Sequence, residues 1–252
     1  LKEINLKYNT DAHYQFKKYN YPIRKTTITK KIREAKNITN YYYSYNYNFN
    51  SINNETEAYI LGWWFSDGWV TDYQAGLKIH KNDKDILIKI KNYICKDIKL
   101  QYSKNNCAFV ISSAEVIKNL INLGCLKNKT YLKLNIPNMN DSLIRHFIRG
   151  YFDGDGTIYK DRKWLKCNIC SINKNFLEDI QKILSKNNIY STINVEKREG
   201  KLLKTPAGNS INCKDMYRLF IRKTKDFKLF YNYLYNDSNI FLQRKYIKFN
   251  NG

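Results

Sequence analysis

No apolar run in this sequence approaches the roughly 20 residues needed to cross a membrane. Stretches such as Ala58 to Phe65 are far shorter, so no spanning segment is expected. The first residues do not form a charged-then-apolar leader, and the protein is expected to be intracellular. Acidic residues are scarce: 22 Asp and Glu stand against 44 Lys and Arg, for a net charge of +22. An excess of this size disfavours self-association and favours a polyanionic partner. Nucleic acid is the commonest such partner, and an anionic membrane is the rival. Surface docking on a membrane calls for a helix with one basic face and one bulky apolar face. The two helices singled out below lack that basic face. A complete zinc-ligand set is also missing. Of six cysteines (Cys95, Cys107, Cys125, Cys167, Cys170 and Cys213), Cys167 and Cys170 have the spacing of half a zinc site. No second pair and no nearby histidine completes it. Both lie in a strand-like stretch, where residues three apart face opposite ways, so buried free thiols are expected.

What is present divides into three zones. Hydrophobic residues make up 43% of the 252 residues, enough for one large domain or two small ones. Residues 1–50 are basic and polar. Ala12 to Tyr19 and Thr27 to Ala35 read as two short helices joined through Pro22, the second opened by a Thr cap. The reading is either a helix-turn-helix or a solvated basic tail. The Tyr/Asn-rich run Tyr41 to Asn50 has no helical apolar face and reads as an extended arm.

The second and third zones, 51–138 and 139–252, repeat one plan. In the second, Glu55 to Ser66 predicts a helix capped by Asn54, followed by strands at Trp69 to Asp72 and Gly76 to His80. Next come an amphipathic helix with Ile86, Ile90 and Ile94 on one stripe, a hairpin around Asn105-Asn106, and a helix closed by Gly124. In the third, a helix over Asp141 to Phe152 leads to strands Thr157 to Tyr159 and Lys166 to Ser171. A helix over Lys174 to Lys186, a second hairpin with a longer basic loop (Arg198 to Lys214) and a helix over Lys225 to Tyr235 follow. Each half reads α-β-β-α-β-β-α. The expected class is α+β, with two antiparallel sheets in pseudo-symmetric halves.

The leading helices of the two halves carry the chemistry. One ends Ile60-Leu61-Gly62-Trp63-Trp64-Phe65-Ser66-Asp67-Gly68 and the other Ile148-Arg149-Gly150-Tyr151-Phe152-Asp153-Gly154-Asp155-Gly156. Small residues four apart share a helix face and let two backbones approach closely. Gly62 and Ser66 against Gly150 and Gly154 would pack the helices tightly and bring Asp67 beside Asp155. Two carboxylates at the negative ends of two helix dipoles repel, unless divalent cations compensate them. Hard oxygen ligands suit Mg²⁺. Paired acids holding metals across a phosphodiester are an arrangement for nucleolytic displacement.

On these two motifs, the chain resembles the LAGLIDADG homing endonucleases in their monomeric, two-motif form, over about residues 55–250. The resemblance implies a saddle of two antiparallel sheets on a DNA duplex. It further implies site-specific cleavage of both strands at a long target by a monomer, with two or three divalent cations. A binder of the same fold, either an RNA maturase or a non-cleaving DNA-binding protein, is the alternative. The eighth position of each motif, Asp67 and Asp155, is the metal-binding acid, and the carbonyls of Ser66 and Gly154 resemble further metal contacts. Phe65 departs from the family's acid at the sixth position, which is not the metal ligand. Lys129 and Lys245, in matched C-terminal segments, resemble the family's active-site lysines, with phosphate contact or a solvated surface as the alternatives. His80 and Lys81 resemble the polar pair beside the first acid, and Ser171-Ile172 is read as the uncharged counterpart. Strand and turn residues expected to meet DNA are Tyr73, Gln74, Lys78, His80 and Lys81 in the first half. In the second they are Tyr159, Lys160, Arg162, Lys163, Lys166, Lys197, Arg198, Lys201, Lys204, Arg218, Arg222 and Lys223. Their division between bases and phosphates stays open at this point.

Overall fold

A computed structural model describes residues 43–127, 134–204 and 210–250, with backbone alone at Leu203, Lys204, Ile211 and Asn250. The helices expected at 12–19 and 27–35, and Lys129, lie outside the described residues.

One compact unit begins at Tyr45. Its first helix, α1 (Glu55–Ser66), starts on a reciprocal cap. Asn54 Oδ1 accepts the Glu57 N–H at 3.1 Å, and the Glu57 carboxylate accepts the Asn53 N–H at 2.7 Å. This helix is apolar nearly all round, as a central helix must be, and Ala58 through Ser66 are buried. Strands β1 (Gly68–Val70) and β2 (Ala75–His80), a single 3-10 turn (Lys81–Asp83), α2 (Lys84–Ile94), β3 (Gln101–Tyr102), β4 (Asn106–Ile111) and α3 (Ala114–Asn122) complete the first half. The second half repeats the order with α4 (Asp141–Asp155), β5 (Gly156–Asp161), β6 (Trp164–Ser171), α5 (Lys174–Lys186), β7 (Thr192–Glu196), β10 (Met216–Ile221), α6 (Thr224–Tyr235) and α7 (Gln243–Asn250). Between β7 and β10, the long basic loop contains a small ribbon of β8 (Leu202–Lys204) and β9 (Ser210–Asn212).

Both four-stranded sheets are antiparallel and have one plan, β1-β2-β4-β3 and β5-β6-β10-β7. Period-2 alternation gives each sheet one apolar face. Leu77, Ile79, Phe109 and Ile111 are buried in the first sheet, and Cys167, Ile169, Leu219 and Ile221 in the second. Helix α2 packs on β2 and β4, and α5 on β6, β7 and β10, with Ile86, Ile90 and Ile94, and Phe176, Ile180 and Leu184, fully removed from water or nearly so. The opposite faces carry the polar residues. Among the described residues no helix is long and apolar enough to cross a membrane.

Two expectations need correction. Of the arm expected over Tyr41 to Asn50, the described residues 43–50 form no helix or strand, but the end belongs to the core. Tyr47 and Phe49 are buried, and Phe49 meets the Trp64 ring edge-on at 5.2 Å. Aromatic side chains spaced two apart on an extended segment share one side, a pattern that a search for helical stripes misses. Helix α4 also passes Phe152 and ends at Asp155, because carbonyls of its last turn find a buried donor described below.

Candidate active site at the crossing of two helices

Helices α1 and α4 form the most extensive contact between elements of the fold, and small residues set its closeness. A Cβ built on Gly62 would lie 2.2 Å from the Phe147 carbonyl oxygen, and one on Gly150 2.1 Å from the Tyr59 carbonyl oxygen. At the lower end of the crossing, a Cβ on Gly154 would lie 2.0 Å from Ser66 Oγ and 2.7 Å from Asp67 Oδ2. The carboxylate of Asp67 therefore reaches across to the residue preceding Asp155, which puts the two acids at neighbouring helix ends. Both are partly exposed. A cleft of about 160 Å³ opens beside Asp155, lined also by Ser66, Tyr151, Cys170, Ser171 and Met216 among others.

Strand register fixes what faces each acid. Gly68 pairs with Leu77, and Gly156 with Ile169. Carried back one residue, the two ladders set Asp67 opposite Lys78 and Asp155 opposite Cys170. The Cys170 thiol donates to the Asp155 carbonyl at 3.2 Å, while Cys167, three residues earlier, faces the core and is fully buried. The same register makes Ile172 and Asn173 the counterparts of His80 and Lys81, one residue later than Ser171-Ile172. His80 caps the 3-10 turn through Nδ1, and Lys81 Nζ donates to the Lys104 carbonyl at 3.1 Å. Both are exposed.

Lys245 lies beneath the acids. Only 4% of it is exposed, and its Nζ donates to the carbonyls of Phe152, Asp153 and Gly156 at 2.5–2.7 Å. A lysine so placed satisfies the orphan carbonyls of a helix C-terminus and opposes the dipole there, which carries α4 on to Asp155. Burial pushes its pKa down to about 8, against the pull of Asp153, Asp155 and Asp67.

The sixth motif position does different work in the two halves. Phe65 packs edge-on against Phe147 at 5.0 Å and stacks near Phe176. Asp153 is fully buried and accepts from Tyr59 OH at 2.7 Å, Tyr235 OH at 2.6 Å and the Leu242 N–H at 2.8 Å. Burial raises its pKa, with Lys245 and these donors opposing. Next to it, the fully buried Arg149 donates to Glu55 at 2.6 Å and to the carbonyls of Leu234 and Ile240 at 2.8 and 3.0 Å. Glu55 also accepts from the Asn239 backbone and side chain. His146, against Arg149, is pushed down to about 4 by burial and by that guanidinium. Sequence reasoning missed Asp153, Arg149 and Glu55 as a network, since the contacts that build it span 82 to 184 residues. Asp153→Leu strands three buried donors, so a stability loss of about 3–5 kcal/mol is expected. A urea midpoint equal to the parent's would refute this.

The residues expected to meet DNA separate by face. Lys78 and His80 project from the outer face of the first sheet, and Tyr73 and Gln74 sit in the β1–β2 turn, Tyr73 being 83% exposed. On the second sheet Tyr159, Lys166, Arg218 and Arg222 share the outer face by register. Arg162 and Lys163 form the β5–β6 turn, with Lys163 over the Trp164 ring. Lys197, Arg198 and Lys201 lead into the ribbon, where Lys204 stands on β8. Lys160 and Lys223 fall on the inward parity. Lys160 is exposed at the strand end, and Lys223 lies over the Tyr190 ring. Several of the outer cations meet acids: Lys166 with Asp161, Lys197 with Asp215, and Arg198 and Arg218 with Glu196. The isolated lysine pairs contribute about 0–1 kcal/mol, little enough for an incoming phosphate to compete, whereas Glu196 joins two arginines in one network.

The LAGLIDADG-like domain family matches residues 142–235. Among curated proteins, the chain is 32% identical over 141 residues to the DNA-directed RNA polymerase subunit Rpo1C of Methanocaldococcus jannaschii, covering 53% of this chain and 16% of that protein. It is 28% identical over 191 residues to the ATP-dependent DNA helicase Hel308 of the same organism, covering 69% and 15%. The chain thus spans about a sixth or less of the curated relatives it matches. Among solved structures, the LAGLIDADG homing endonuclease I-GzeII, determined in complex with a DNA target, superposes with a TM-score of 0.50 at 15% identity, over 79% of this chain and 88% of that one. At that identity the likeness is one of fold. Residues 142–235, in the second half, are thus similar to the LAGLIDADG-like domain family, and the first half repeats the same plan.

Proposed function

We propose that this protein is a site-specific endonuclease that hydrolyses both strands of a long DNA target as a monomer. The observation that carries this reading is the convergence of Asp67 and Asp155 at the α1–α4 crossing, with each acid set by register beside the outer face of its own sheet. One chain supplies both acids and both faces. The net charge of +22 suits a duplex, and the solved I-GzeII complex shows this fold on DNA.

The acids fit a divalent cation. Two carboxylates ending two helix dipoles raise the local negative potential, and Lys245 compensates from the buried side only. Asp67 and Asp155, with the carbonyls of Ser66 and Gly154, would hold Mg²⁺ or a similar ion through hard oxygens. Such an ion, when bound, supplies an activated water and stabilises the leaving oxygen. The chain's own residues do the rest. Lys245 holds the end of α4 so that Asp155 keeps its aim. Lys78 places a cation beside Asp67. The outer-face cations neutralise phosphates on either side of the scissile bonds.

The test is incubation of the protein with a randomised duplex library in Mg²⁺ and, in parallel, in EDTA, with the ends sequenced. Recurrent double-strand ends in Mg²⁺ alone support the reading. Retention of duplex without new ends would instead identify a non-cleaving binder of the same fold, and preference for structured RNA over duplex a maturase. Binding should also weaken steeply with salt, the logarithm of affinity falling by about 0.9 per phosphate neutralised for each unit of log salt. A flat salt dependence would count against phosphate-tracking faces.

A further inference from the structure

The outer faces leave open which cations read bases and which hold the backbone. One pair on the second sheet is built unlike the rest. Arg218 lies on β10, opposite Cys170 on β6 and Asn194 on β7, in the cross-strand row that register assigns to Asp155. Glu196 stands on the same face of β7, two residues along, at the diagonal that side chains of this length span. Its Oε2 accepts from Arg218 Nη2 at 3.2 Å and Nε at 3.4 Å, while its Oε1 accepts from Arg198 Nε at 2.9 Å. Arg198 is itself fixed, because Asp215 accepts its backbone N–H at 2.8 Å. A single carboxylate therefore braces two guanidiniums, one of them on a central strand of the sheet. Glu196 engages Nε and Nη2 of Arg218 and leaves Nη1 out of the contact.

Charge and geometry separate the two uses of such an arginine. Attraction to a phosphate needs net positive charge, and a carboxylate at 3.2 Å offsets most of it. Bidentate donation to guanine O6 and N7 needs a planar fork held in one orientation. A brace weakens the first use and serves the second. We propose that Arg218, positioned by Glu196, reads a guanine in the major groove of the half-site under the second sheet, close to the cleavage centre. This rests on the endonuclease reading above and names one base contact within it.

The experiment is cleaved-site selection from the randomised duplex library by the full chain and three variants, with binding to the selected site measured against salt. The parent should select one position fixed as dG. Arg218→Lys keeps the charge and loses the fork. It should cut the preference for dG at that position roughly tenfold or more, leaving the other fixed positions and the salt slope unchanged. Arg218→Ala should do the same. Glu196→Gln should loosen the dG preference and raise affinity for unrelated duplex by removing a negative charge. A salt slope lower by about one in Arg218→Ala, with the selected sequence unchanged in Arg218→Lys, would make Arg218 a phosphate contact and overturn the proposal. A parent that cuts nothing in the library would defeat the endonuclease reading itself, an outcome distinct from either.

Discussion

Asn in place of Asp67 or Asp155 should stop cleavage of the facing strand while DNA stays bound. The amide keeps the shape of the carboxylate and removes the charge a hard cation needs. Losing an outer-shell partner of a metal ligand costs 10- to 100-fold. Losing the ligand itself should therefore cost at least about a hundredfold in strand cleavage. The measurement is nicking of each strand of a selected site, labelled separately, next to equilibrium binding of the same site. Cleavage at parental rates in both variants would refute the assignment of the two acids, whatever their geometry. Loss of binding along with cleavage would show instead that the acids organise the crossing rather than the chemistry. The halves also differ beside each acid, Lys78 facing Asp67 and Cys170 facing Asp155. The double-labelled assay therefore reports in the same experiment whether the parent cuts its two strands at unequal rates.

A second large effect is expected from a single methyl group. Gly150→Ala places a Cβ 2.1 Å from the Tyr59 carbonyl oxygen, where backbone meets backbone and no side chain can swing aside. Overpacking a core commonly costs about 1–3 kcal/mol, and a clash between two helix backbones should exceed that range. Failure to recover folded protein is one expected form of the result. Gly200→Ala is the contrast. It has open space around it and a φ of +84°, so it should lose only the roughly 1–2 kcal/mol of a left-handed non-glycine residue. Similar denaturation midpoints for the two variants would mean that α1 and α4 can part at little cost, and that close packing does not set the site.

Much of this architecture is legible in the sequence. The spacing of Gly62, Ser66, Gly150 and Gly154 carried the crossing, because small residues four apart on two helices have few other uses. Period-2 and period-3.6 patterns carried the two repeated halves and most of their elements within two or three residues, but not α7, the 3-10 turn or the β8–β9 ribbon. Three features were not readable, each for a physical reason. Asp153 looks like a second candidate acid by position, but Tyr59, Tyr235 and the Leu242 amide bury it, and contacts over 82 or more residues leave no local trace. Lys245 resembles an active-site lysine from the sequence, but its seat on the open carbonyls of a helix end about 90 residues earlier leaves no local trace. Register also moved the partner of His80-Lys81 by one residue, since one-residue shifts are what alternation alone leaves free when the strand ends are not fixed.

The buried polar contacts across the crossing bear on how such proteins can be recombined. Tyr59 and Glu55 come from the first half, Asp153 and Arg149 from the second, and Leu234 to Leu242 closes over both. A chimera that joins residues up to 138 to the second half of another protein would part Tyr59 from Asp153 and Glu55 from Arg149 and Asn239, breaking a buried network in two. Such hybrids should need Glu55 and Tyr59 grafted along with Arg149, Asp153 and the 234–242 segment. The two halves look alike in outline, but they are not interchangeable parts.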